Sequence, residues 1–195
     1  MAVTYASFSR RTRAKLKPLG AADFLFLAAW SATHLDDTYG AYLDEIEHGD
    51  ARRVLRDALD AAWTVVDAGT LRSGTLDAGF RDELSAHLAA VRDIDIDDLD
   101  FTRPSDSGVL KLMEATEAAL SIAVTPDPDP TDALTALWAP VDVLNTIKHG
   151  GALRPETDPL DDAFFAEELA AQAAVIADLQ AQARLTGADR RIHRS

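Results

Sequence analysis

From Phe24 to Ala32 the chain reads FLFLAAWSA, and a helix wound through it has almost no polar side. Over Ala21–Leu35, Phe24, Leu25, Leu27, Ala28 and Trp30 surround most of the helix circumference. Such a helix leaves no face for water and must be enclosed. The apolar run falls well short of the ~20 residues needed to cross a bilayer, so the enclosure has to be protein. One central helix therefore demands several others around it.

The rest of the sequence supplies them. Period-3.6 patterning predicts amphipathic helices over about 51–68, 77–91, 107–124, 132–148 and 160–185. The first carries Val54, Leu55, Ala58, Leu59, Ala62 and Val65 on one face, with Asp50 expected as its N-cap and Gly69 as its stop. The cleanest stripe is Val109, Leu112, Met113, Thr116, Leu120 and Ala123. In 132–148, Leu134, Leu137, Trp138, Val141, Leu144 and Ile147 should face inward, with Pro140 kinking the helix. Asp36-Asp37 should loosen the end of the first helix, whose apolar face resumes at Tyr39, Tyr42, Leu43 and Ile46. "HGGALRPETDP" reads as a long loop, and Trp30, Trp63 and Trp138 as core. The expected fold class is all-α, an irregular single-domain bundle of six or seven helices. A basic segment, 1–20, is expected to fray; 21–187 form the helical domain, and 188–195 a basic C-terminal tail.

Charge narrows the function. The net −14 hides an uneven spread: residues 18–183 hold 10 basic and 32 acidic groups, whereas 1–20 hold five basic groups and no acid. So acidic a body repels phosphate backbones and anionic lipid, which argues against nucleic acid and membrane partners. Cations or a basic protein surface suit it better. Aspartate outnumbers glutamate 25 to 8, a bias that solubility or adaptation to salt also produces. There is no cysteine, hence no disulfide, thiolate ligand or cysteine nucleophile, in keeping with a cytoplasmic protein. "SRRTRAKLKPLGAADFLFLAAWSA" resembles a twin-arginine export signal, but Asp23 borders the apolar run and the apolar residues that should follow Arg10-Arg11 are missing.

The candidate site is "RDIDIDDLDFTRP", where Asp93, Asp95, Asp97, Asp98 and Asp100 alternate with Ile94, Ile96 and Leu99. Read as an EF-hand loop from Asp93, it puts Asp98 where glycine is needed and Pro104 where glutamate is needed, so that reading fails. A helix-to-helix connection with its aliphatic residues inward and its aspartates outward fits better, and such a surface would suit a basic partner. Glu45 and His48 have the Glu-x-x-His spacing of di-iron bundles, with His34 and Asp37 as substitute ligands, but no second pair follows. There is no Gly-x-Ser-x-Gly elbow and no glycine-rich phosphate loop. No catalytic residue, metal ligand set or cofactor is expected from these motifs.

"FLFLAAWSATHLDDTYGAYLDEI", "GDARRVLRDALDAAWTVV", "VLKLMEATEAALSIAV" and "FFAEELAAQAAVIADLQ" follow one another in an order that resembles the YjaG-like family of small bacterial proteins. The likeness spans roughly residues 15–187 and is carried by Gly49, Asp50, Arg53, Leu59 and Trp63. It implies a compact all-α cytoplasmic protein of unestablished activity and supplies no catalytic residues. Together these readings lead to the expectation of a non-enzymatic interaction protein that engages or neutralises a basic partner, as immunity proteins do. The alternative is a helical metal-dependent enzyme using Glu45, His48, His34 or Asp37.

Overall fold

The computed structural model describes residues 4–150, 160 and 163–194. The chain is an all-α bundle, 76% helical, with no β-strand among the described residues. In chain order come α1 (Tyr5–Leu16), α2 (Ala21–Leu35), a π-helix (Asp36–Gly40), α3 (Tyr42–Glu45), α4 (Gly49–Ala68) and α5 (Thr70–Ser73). After them come α6 (Ala78–Arg92), α7 (Pro104–Val124), α8 (Pro130–His149), α9 (Ala163–Gln180) and a 3-10 turn (Gly187–Asp189). Residues 151–159, which cover most of the expected glycine-proline loop, lie outside the described residues.

α2 is the enclosed helix that its composition demanded. Phe24 through Thr33 and Leu35 are all buried, and Trp30 has no exposed surface. α4, α7 and α8 surround it. α7 can lie close because Ala115, Ala118, Ala119 and Ala123 keep its buried face slim. Trp63 of α4 meets Phe26 edge-on at 5.5 Å, and its Nε1 donates to Thr33 Oγ1 at 2.9 Å. The Thr33 hydroxyl in turn donates to the Ala29 carbonyl. The indole thus buries its ring without stranding its N–H. Trp30, Trp63 and Trp138 are all core, as expected.

The π-helix realises the loosening expected at Asp36-Asp37. Insertions of this kind widen the helix by one residue per turn and cluster at functional sites. Two glycines make room for it: a Cβ on Gly40 would strike the Asp36 carboxylate, and one on Gly108 of α7 would land in the Tyr39 ring.

Several expectations need correction. Residues 1–20 do not fray as a whole. Thr4 caps α1 with a reciprocal Thr4–Ser7 box, Leu16 is fully buried, and Tyr5 and Phe8 pack on Trp138 at 3.9 and 5.3 Å. The cap of α4 is His48 rather than Asp50, because Glu47 takes a left-handed turn (φ 64°) and the helix starts earlier. In α8 Leu134, Leu137, Trp138 and Val141 are buried and Leu144 packs partly on the core as expected, but Val143, Asn145 and Thr146 are buried too and Ile147 is 45% exposed instead of inward. The basic tail, described to Arg194, lies along the bundle.

Candidate functional site

The five aspartates occupy the connection between α6 and α7. All five are exposed, while Ile96 is buried and Ile94 and Leu99 pack partly against the core. Period-2 alternation here marks an extended, turn-rich linker pinned by its aliphatic residues. Asp95 Oδ1 accepts the Asp97 amide at 3.1 Å, and Asp100 Oδ1 accepts both the Thr102 amide and hydroxyl at 3.1 and 2.7 Å. Those Thr102 bonds hold the Asp100 carboxyl below its ordinary range. The Asp100 amide donates to the buried Asp106 at 2.9 Å, tying the linker to the start of α7. Asp98 faces His48 Nε2 at 3.3 Å, so α4 touches the run. Among the described residues no donor reaches the carboxylates of Asp93 and Asp97. Phe101, next in line, is 39% exposed.

The residues weighed as metal ligands are distributed differently. His48 turns to Asp98, His34 to Glu168, and Asp37 to Arg191. Among the described residues no group of three or more His, Asp or Glu side chains is placed to hold a metal ion.

A second polar constellation escaped the sequence reading. Glu168 of α9 is 6% exposed, with its carboxylate gripped at both oxygens by Arg194, Nη1 to Oε2 at 2.5 Å and Nη2 to Oε1 at 3.1 Å. The same guanidinium lies 3.6 Å from the centroid of the Trp30 ring. Gln172, one turn on from Glu168, donates to Glu168 Oε1 at 2.7 Å and to the Leu137 carbonyl at 2.6 Å, one turn before Pro140. Burial pulls the Arg194 pKa down while Glu168 pushes it back; the group stays charged. His34 Nε2 sits 4.0 Å from Glu168. Burial, helped by Arg194, drives the His34 pKa below its ordinary 6.5, against the pull of Glu168 and Asp37. A cavity of about 250 Å³ opens beside these groups, with Pro140, Val143 and Ala171 on its apolar side and His34, Thr38 and Arg194 on its polar side.

The basic residues reach this place because 181–194 folds back over α2 and α9. Gln182, with φ 62°, turns the chain out of α9. Thr186 then caps the 3-10 turn, and the Gly187 amide donates to Asp67 of α4 at 2.6 Å. Arg191 grips Asp37 through two bonds of 2.7 and 2.6 Å, and this pairing lowers the Asp37 pKa. The Trp30 indole N–H donates to the Ile192 carbonyl at 3.0 Å, and His193 meets Asp178 at 2.7 Å. The only sequence signal for this assembly is an arginine-rich DRRIHR following an acidic body; nothing in it names Glu168 or Trp30.

No known protein family, curated protein or solved structure matches the chain. The resemblance to YjaG-like proteins thus rests on the sequence pattern. No helix among the described residues is long and apolar enough to cross a membrane.

Proposed function

We propose that this chain is a cytoplasmic, non-enzymatic interaction protein whose acidic surface engages a basic protein, in the manner of an immunity protein neutralising a toxin or nuclease. The observation that carries the reading is the α6–α7 connection. Its five aspartates all face solvent and the exposed Phe101 follows them directly, on a backbone anchored by Ile96 and Asp106. Charges fixed on a rigid frame attract an oppositely charged surface over a Debye length and bias the encounter without an ordering cost. An exposed aromatic beside such a run is a residue type enriched in protein interfaces. The YjaG-like resemblance fits this reading in supplying no catalytic residues.

The test compares wild type with a chain in which Asp93, Asp95, Asp97, Asp98 and Asp100 are all asparagine. Each is immobilised and exposed to native lysate at about 0.1 M salt, where the Debye length is ~10 Å. A basic protein held by wild type, released by molar salt and lost by the variant supports the reading. Identical capture by both chains, or none by wild type, overturns it.

A further inference from the structure

We infer that the groove over Trp30 is an arginine-recognition site for a basic segment of a partner protein, filled in cis in this chain by Arg194. The inference rests on the reading that the partner is basic, but it uses a different surface from the aspartate run.

The argument starts from the shape of the receptor. A planar guanidinium is best held by an aromatic face on one side and a bidentate carboxylate in its own plane. Trp30 supplies the face and Glu168 the carboxylate. Both are set by the bundle itself and not by the ligand: Trp30 belongs to the enclosed helix α2, and Gln172, braced on the Leu137 carbonyl, fixes Glu168. Asp37 and Asp178 stand on the rim for further basic residues, and the Trp30 N–H offers a donor to a passing backbone carbonyl.

The occupant is far less committed to the fold than the receptor. Within 181–194 Arg194 is the deeply placed side chain, 9% exposed, whereas the contacts of Arg191 and His193 are exposed ion pairs. Surface pairs of that kind contribute little each, so the segment is held chiefly by Arg194, by the Trp30–Ile192 and Gly187–Asp67 hydrogen bonds and by Leu185 and Ile192 against the core. The fit is also incomplete, since the buried Arg194 Nε–H has no acceptor among the described residues. If the segment leaves, Glu168 and the face of Trp30 open together, and a buried carboxylate is left calling for a cation. An arginine of a basic partner, arriving with its neighbours over Asp37 and Asp178, meets the same chemistry in trans. The tethered segment competes at high effective concentration, so the partner must displace it.

The probe is a fluorescent peptide with the sequence of residues 186–195, TGADRRIHRS, beside a version with lysine at its three arginines. It is titrated into wild type, into a chain ending at Leu185, and into full-length Arg194→Ala, which keeps the segment but not its anchor. The arginine peptide should bind the opened chains at least about tenfold more tightly than wild type. The lysine peptide, and Glu168→Gln added to Arg194→Ala, should each weaken binding at least about tenfold. Should the truncated chain not fold, the Arg194→Ala pair carries the same comparison. Equal affinity for the two peptides, indifference to Glu168→Gln, or no binding to folded Arg194→Ala would make the segment a fixed clasp and overturn the inference. So would a wild-type dimer formed by exchange of this segment between copies. The five-asparagine chain is titrated in parallel: unchanged peptide binding there separates the groove from the aspartate run, so either reading can fail alone.

Discussion

Gly108 shows how tightly single residues are specified. The Tyr39 ring occupies the space where a Cβ would stand, and Tyr39 is positioned by the π-helix, so neither neighbour can yield cheaply. Gly108→Ala should therefore cost about 1–3 kcal/mol by overpacking, even though alanine is the better helix former. Leu112→Ala, at a position 1% exposed, should cost about 2–5 kcal/mol by leaving a cavity. Urea melts of the two variants check both figures, and a stabilised Gly108→Ala would show that the Tyr39 seat is loose. His34 carries a pH dependence. Its folded pKa lies below its unfolded 6.5, so the unfolded chain binds more protons as the medium acidifies through 6.5. The stability it contributes is complete above that value and declines as pH falls toward the folded pKa. Wild type should lose melting temperature relative to His34→Gln between pH 7 and about 5.5; a constant gap would mean that His34 is as free to protonate in the fold as outside it.

Among the elements, what could be read from sequence was what short-range chemistry decides. α2 runs Ala21–Leu35 as expected, since Gly20 and Asp23 mark its start and the π-helix takes over at two adjacent aspartates. α7 begins at Pro104, three residues before the expected start, because proline at the first helical position is already shaped for a helix. Once Pro140 removed a hydrogen bond, the inward face of α8 could not be extrapolated to Ile147. The aspartate connection was legible because alternation and burial agree over eight residues. The groove was not, because Trp30 and Ile192 lie 162 residues apart and only the tertiary fold joins them. From the exposure of the connection it follows that the five-asparagine variant should melt within about 1 kcal/mol of wild type. Unfolding of that variant in a thermal scan would instead mark the run as a structural cation site.

For the whole molecule, the net −14 opposes compactness. Raising salt from about 10 mM to molar shortens the Debye length from ~30 to ~3 Å, so the melting temperature should climb. A flat curve would assign the aspartate excess to composition alone. The two ends of the sequence are also drawn together, since Gln180 at the close of α9 donates to the Lys15 carbonyl at the close of α1 at 2.7 Å. At the other end of α1, the Tyr5 ring sits 3.9 Å from Trp138. Light absorbed by that tyrosine passes to the indole before it can be emitted, so the docked helix is dark at tyrosine wavelengths. If α1 lifts from α8 the tyrosine glows again, and the protein carries its own optical gauge of whether its first helix is seated.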